Sequence, residues 1–440
     1  MTVGAPIVLD GYQIVIPDNA ADSVEELSAY ELKAALAKMG YSLAGEGVIT
    51  ERDVTVNSSK YIYIGSSPDE GIDPTGTEYT VSANRDGEIR IAAGSYYGYR
   101  AAIEYIQQKG GIPTYTEYTN DASLKYLSKP DASVRVMFYN VYGYYNWSNP
   151  NGGSPALALR QDLQRDLLST YAPDVIGFQE YVANTYHAEF NSTLSSLGYA
   201  QVDVSKGTAN CTPLFYNPSK VALVKNGQEQ DECGFELYQQ TNDDPGINSK
   251  SVTWAIFEEL DANGKGTGHK FAVFSTHFSH ESGADAAAKR CHNAEQLLGI
   301  MEAVLNRNPE YNNIPVIMGG DLNYWKINDT KEPHQILTSS GLTYLAQPDT
   351  SPAEYTNRWE KDGDYSQYTE SYHGYYRYDP NEKIYDMSEN SMTTDRYSLD
   401  YIFLGGDKDS VTVKKYIIVN NDLTYRASDH SPTFVDFVFN

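Results

Sequence analysis

Two stretches of the chain carry different periodicities. In the first, YQIVI (residues 12–16) is a short apolar run closed by Pro17 and Asp18, and it predicts a strand. Ser23 and Glu26 then have capping-box spacing, and Val24, Leu27, Leu32 and Leu36 recur near one helical face until about Met39, where Gly40 ends the pattern. YIYIG (61–65) predicts a second strand. Residues 78–94 hold two β-rich runs around an Asp-Gly signal, which predicts a hairpin. YYGYRAAIEYIQQKGG predicts a closing helix with glycine at its C-terminal end. Residues 111–133, weakly periodic and carrying Pro113 and Pro130, read as a linker.

From Val134 onward strands and helices alternate. VRVMFYNV, VIGFQE, FAVFSTHF and PVIMGGDLN are apolar runs that predict strands, with helices expected over 156–172, ending before Pro173, and 285–305. SLDYIFL, VKKYIIV and SPTFVDFVF return to strands at the end. Residues 343–381 are polar, tyrosine-rich and aperiodic, too long for an ordinary connection, which points to a functional loop.

The strands of this second stretch share one peculiarity. Asn140 follows VRVMFY, Glu180 follows VIGFQ, His277 follows FAVFST, and Asp321 and Asn323 follow VIMGG. Asp400 opens a strand in SLDYIF, and Asp429 and His430 precede SPTFVDF. A strand that needs only to stop can use Ser, Thr or Gly, because a partly buried carboxylate must be paired. Recurrence of such residues at strand ends predicts one site at the ends of the sheets.

Composition narrows the classes. The 440 residues are ample for a packed core, and the formal charge of −26 repels phosphate backbones at long range, which disfavours nonspecific nucleic-acid binding. A bound cation can still reverse the sign inside one cleft. The 38 tyrosines, against 13 Phe and 4 Trp, suit contact with sugars or flat polar ligands, lineage bias being the plain alternative. Cys211, Cys233 and Cys291 show no CxxC spacing, so a zinc site is not expected. No apolar run is long enough for a transmembrane helix, and MTVGAPIVLDGYQIVIPDNA lacks the basic start and apolar core of a signal peptide.

The pieces FYNV, DVIGFQE, STHF, GGDLN, SLDYIF and SDHSP stand in order over residues 134–440. In this the chain resembles the endonuclease/exonuclease/phosphatase (DNase I-like) family. The resemblance implies an α/β (α+β) fold: a four-layer sandwich of two mixed sheets flanked by helices. Residues 1–112 are expected to form a small α/β accessory domain, with 113–133 as linker and 134–440 as catalytic domain. The order of the first unit resembles, at the level of pattern, the domain ahead of the catalytic domain in hexosaminidase- and α-glucuronidase-type glycoside hydrolases.

The family resemblance also implies roles. Glu180 would be the principal metal ligand, with Asn140 beside it and Asp429 serving the same or a second metal. Asp321 would orient and deprotonate the attacking water, and Asn323 would hold a phosphoryl oxygen. His430 would donate to the phosphate with Asp400 fixing its tautomer, and His277 would stabilise the transition state. The expected cofactor is Mg²⁺, with Mn²⁺ or Ca²⁺ as alternatives, because phosphodiester hydrolysis adds charge to oxygens that are already anionic.

The expected activity is a secreted metal-dependent phosphodiesterase. The alternatives are a nuclease of the same family and an inactive binding protein on the same fold. The phosphodiester's class stays open, glycan contact through the N-terminal domain is expected, and the location is read as extracellular with any leader trimmed from this sequence. His280 reads as structural, His187 and His292 carry no assigned role, and His373 reads as a solvated loop residue.

Overall fold

The structure, a computed structural model, describes residues 6–55, 60–65, 74–84, 87–113, 117–122, 124, 128–143, 157–181, 187–204, 211–239, 250–280, 284–324, 333–345, 371–372, 376–390 and 398–440. The chain divides into two compact units. The first comprises Met1–Leu127, Trp147–Tyr171 and Tyr376–Asn390; the second comprises Ser128–Asn146, Ala172–Tyr375 and Ser391–Asn440.

The first unit holds a mixed sheet in the order Val48–Thr50, Gln13–Ile16, Tyr61–Ile64, Ile89–Ala93, Glu78–Ala83, Glu117–Asp121. Register places Ile14, Ile62, Ile89 and Ala83 in one row and Ile64, Ile91 and Val81 in the next, so branched apolar side chains share a face. Helices Val24–Lys38 and Tyr96–Lys109 bury Leu27, Leu32 and Leu36, and Ala102, Ile103 and Ile106. The Ser23 hydroxyl accepts the Glu26 N–H at 3.3 Å, as its cap spacing requires, and Gly110 ends the second helix at φ +71°.

Glu117–Asp121, inside the stretch read as a linker, is an edge strand on Glu78–Ala83. Its residues, EYTND, are too polar to stand out as a strand in the pattern. Within this unit a third helix, Leu157–Tyr171, supplies Asp166. Its carboxylate accepts the N–H of Tyr96 at 2.8 Å, where Ser95 makes no side-chain cap. The aperiodic stretch also runs into a hairpin, Tyr376–Asp379 with Ile384–Asn390, whose Lys383 pairs with Glu26 and lies over the Tyr30 ring.

The second unit is built on two mixed sheets. One runs Ala200–Gln201, Leu214–Tyr216, Val175–Gln179, Val134–Asn140, Thr433–Phe439, Val411–Ile418. The other runs Val221–Leu223, Ser251–Leu260, Gly266–His277, Pro315–Asp321, Asp400–Gly406, Thr343–Tyr344, with Cys233–Leu237 beside Ser251–Leu260. Each sheet has one parallel pair at its heart, Val134–Asn140 with Val175–Gln179 and Gly266–His277 with Pro315–Asp321.

The sheets meet through a shared core of Phe138, Val175, Trp254, Phe274, Ile317, Ile402 and Val435. Gly177 and Gly319 lie where a Cβ would strike the Phe138 ring, at 2.8 and 2.6 Å, so the two glycines admit that ring between the sheets. Helix Ala284–Leu305 adds Ala294, Leu297, Met301 and Val304 to this core. Phe190, from helix His187–Ser196, packs on Phe178 and Tyr181. Helix, sheet, sheet and helix give the expected sandwich.

Candidate active site

The parallel pairs bring the ends of their strands together. In one sheet Gln179 is the register partner of Asn140, so Glu180 follows directly beside it. In the other, Asp321 pairs with His277 on one side and Asp400 on the other. Asp429 and His430 precede the strand Thr433–Phe439, which runs antiparallel to Val134–Asn140 and starts at the same end. Every strand-end residue singled out in the sequence therefore reaches one place.

The contacts are close. Asn140 Nδ2 donates to Asp321 Oδ2 at 3.0 Å and lies 3.4 Å from His430 Nε2, while its Oδ1 accepts the Tyr142 N–H at 3.0 Å. Asp321 Oδ2 stands 3.5 Å from His277 Nε2 and 3.8 Å from His430 Nε2, and Oδ1 accepts the Asn323 N–H at 2.7 Å. Asn323 Nδ2 donates to the Phe278 carbonyl at 3.0 Å. His430 Nδ1 is 2.7 Å from Asp400 Oδ2, and its Nε2 is 4.0 Å from Asp429 Oδ1.

The backbone bends sharply at this end. Tyr142, Glu180 and Asn323 take φ of +49°, +54° and +48°, the left-handed region that non-glycine residues adopt uncommonly. Gly320, at φ +130°, is the one residue type that fits its place: a Cβ there would sit 2.1 Å from the Thr276 carbonyl oxygen. This accounts for the second glycine of VIMGGDLN.

Burial sets the charges. Asp321 is raised above the usual carboxylate range by burial and by Asp400, against the pull of His430 and Lys250. Glu180 is raised by burial, with Lys250 and His430 opposing. His430 is raised to about 10: burial works against its charge, but Asp400, Asp429 and Asp321 outweigh it, so the ring is an imidazolium at neutral pH. His277 is held well below its ordinary value by burial and by the neighbouring Lys250, His280 and His430, so it is neutral.

Lys250 was not singled out in the sequence. It is buried, and its Nζ lies 2.8 Å from His277 Nε2. In the sequence it looks like a surface lysine ahead of a strand. The available signal was topological: Ser251–Leu260 is antiparallel to Gly266–His277, with Ser251 opposite His277, so the residue before one strand meets the end of the other. Ser371 and Tyr372 also border His430 and were not predicted. His280 is exposed, and His292 pairs with Glu295 at the surface. His373 lies outside the described residues.

One arrangement asks for a cation. Glu180 Oε2 is buried and has no hydrogen-bond partner among the described residues. Ligating atoms of Glu180, His277 and Asp321 lie within 4.8 Å of one another, as do those of Asp321, Asp400 and His430. Oxygen-rich donors around an orphaned buried carboxylate oxygen fit a hard divalent ion.

The model of endonuclease/exonuclease/phosphatase family 2 matches residues 160–436, well over half of the chain. The chain belongs to the endonuclease/exonuclease/phosphatase family. Membership in it supports a phosphoester hydrolase. Among solved structures the chain is similar to the family's protein from Bacteroides vulgatus, at 19% identity over 70% of this chain and 99% of that one, with a TM-score of 0.45. The corresponding figures for the Bacteroides thetaiotaomicron family protein are 21%, 70%, 98% and 0.46. For the human Nocturnin catalytic domain they are 22%, 70%, 94% and 0.42. No curated protein sequence matches the chain.

Proposed function

We propose that this family member is a divalent-metal-dependent phosphodiesterase, with Mg²⁺ as its working ion. The observation that carries the reading is the buried Oε2 of Glu180, which has no hydrogen-bond partner among the described residues and lies with His277 and Asp321 as a possible ligand group. Glu180 would hold the ion, with Asn140 and Asp429 completing its protein ligands. A cation there supplies the positive charge that the non-bridging phosphate oxygens require.

The side chains then divide the remaining work. Asp321, raised by burial toward the range of a useful base, takes the proton of an attacking water. The His430 imidazolium donates to a phosphate oxygen, and Asp400 holds its other nitrogen in place. Neutral His277 and cationic Lys250 face the developing negative charge as a pair, while Asn323 completes the phosphate cradle. Residues 1–112 act as an accessory unit outside this chemistry, and the tyrosine excess favours an extracellular, glycan-rich setting.

The test is hydrolysis of bis-p-nitrophenyl phosphate by the full chain with and without Mg²⁺, followed by DNA, RNA, sphingomyelin and glycerophosphodiesters. Turnover that EDTA abolishes and Mg²⁺ restores is expected. A folded protein inert toward every substrate with Mg²⁺, Mn²⁺ and Ca²⁺ would instead be a binding protein on this fold.

A further inference from the structure

We infer that Ser371 is a positioning residue that locks together the three backbone segments carrying Asp321, Asp400 and His430. This rests on the reading of those three residues as the hydrolytic machinery. Ser371 lies in the long aperiodic stretch and is completely buried. Its Oγ accepts two successive backbone donors, the N–H of Leu399 at 3.1 Å and of Asp400 at 2.8 Å.

Those donors need an outside partner. The strand Asp400–Gly406 is flanked on one side by Pro315–Asp321; on the other, among the described residues, Thr343–Tyr344 pairs with Leu404 and Phe403 and the Leu345 N–H reaches the Ile402 carbonyl. Among the described residues no neighbouring strand reaches Asp400 on that side, and the serine hydroxyl accepts its N–H there. A buried N–H without an acceptor is a costly state, so the contact fixes where Asp400 begins.

The same residue reaches the other two segments. The Ser371 carbonyl accepts the Ser431 N–H at 2.6 Å, directly after His430. Tyr372 forms an isolated antiparallel bridge with His430, and its ring meets the imidazole edge to face at 4.9 Å. Leu399, held through its N–H by Ser371, accepts through its carbonyl the N–H of Leu322 at 2.8 Å, between Asp321 and Asn323. Ser371 thus sets the distance across which His430 Nδ1 meets Asp400 Oδ2. Ser371 acts on the reacting groups through the backbone of Leu399, Asp400 and Ser431.

The test uses the full chain with Ser371→Ala, Ser371→Cys and Ser371→Thr. On bis-p-nitrophenyl phosphate, Ser371→Ala is expected to lower kcat by roughly 10- to 100-fold, the scale of a small misplacement of reacting groups. KM should stay within about twofold, because catalytic geometry and not phosphate binding is disturbed. The downfield proton of His430 Nδ1, identified by its loss in His430→Gln, should broaden or vanish in Ser371→Ala and persist in Ser371→Thr, which keeps the acceptor. Thr should also restore most of kcat. Ser371→Cys keeps the shape with a much weaker acceptor and serves if the alanine variant does not fold; an intermediate loss is expected.

A parent-like resonance and parent-like kcat in folded Ser371→Ala or Ser371→Cys would overturn the inference, even with a lower Tm. Should the parent hydrolyse no phosphodiester, the reaction assignment fails by itself. The resonance then decides the role of Ser371 alone, its loss supporting that role and its persistence overturning it.

Discussion

His430 Nδ1 stands 2.7 Å from Asp400 Oδ2, with both side chains buried. Asp400 is thus the nearest of the carboxylates that keep His430 charged against the cost of burial. Asp400→Asn keeps the shape and removes the charge. The His430 pKa should fall from about 10 toward the ordinary imidazole value, followed by NMR titration of its ring protons. Turnover at neutral pH should fall by about 10²–10⁴, the usual scale for a lost acid–base partner. An unmoved titration would mean that Asp429 and Asp321 carry the effect.

Asp321 and Glu180 should separate by their response to metal. Asp321→Asn should bind Mg²⁺ nearly as well as the parent while kcat drops by about 10²–10⁴. Glu180→Gln should need more Mg²⁺ for activity and recover partly at high concentration. The two responses exchanged, in titrations of rate against Mg²⁺, would exchange the two roles.

Gly320→Ala should both destabilise the protein and impair the site. The added Cβ would fall 2.1 Å from the Thr276 carbonyl oxygen, a backbone atom that cannot swing aside, in a conformation of φ +130°. A loss of about 1–3 kcal/mol or more is expected from urea unfolding. Because Gly320 lies between Gly319 and Asp321 opposite Thr276, kcat should fall as well. Parent-like stability would show that the strands can part without cost.

Arg135 and Asp436 face one another across adjacent strands at 2.7 and 2.8 Å, with essentially no exposure. Asp436→Ala leaves a buried guanidinium over the Phe434 ring without its counter-charge. A loss of about 3–5 kcal/mol is expected. Replacing both by apolar residues of similar size should cost much less, and an equal cost would mean that the pair is a net contributor.

Asp166 carries a pH signature of stability in the first unit. Burial raises its pKa to about 6, against the opposing effects of Arg165 and the Tyr96 N–H. The folded state therefore holds this proton more tightly than the unfolded chain. The resulting stability is complete below about pH 4 and is lost as pH rises through about 6, an effect of roughly 2–3 kcal/mol. Asp166→Asn should flatten that part of the profile when unfolding midpoints are compared from pH 4 to 7. The same slope in both proteins would assign it to other groups.

Much of this molecule could be read directly from the order of its residues. Strands such as Val134–Asn140 and Pro315–Asp321 are apolar runs bounded by turn residues, and burial on both faces demands that composition. Helix Val24–Lys38 announces its start through Ser23 and Glu26. The polar residues at the strand ends were legible because an ionisable group in that position needs a reason.

Other features depended on which strands became neighbours. Glu117–Asp121 and Tyr376–Asp379 are too polar to be strands by pattern, and pairing with another strand defines them. Lys250 and Ser371 belong to the site because an antiparallel neighbour starts opposite His277 and the Ser371 hydroxyl accepts the N–H of Asp400. Local sequence determines which segments are apolar and where they end, since periodicity and turn chemistry act over a few residues. Which ends meet, and hence which lysine and which serine sit beside His277 and His430, is decided by sheet order and register, which no local pattern carries.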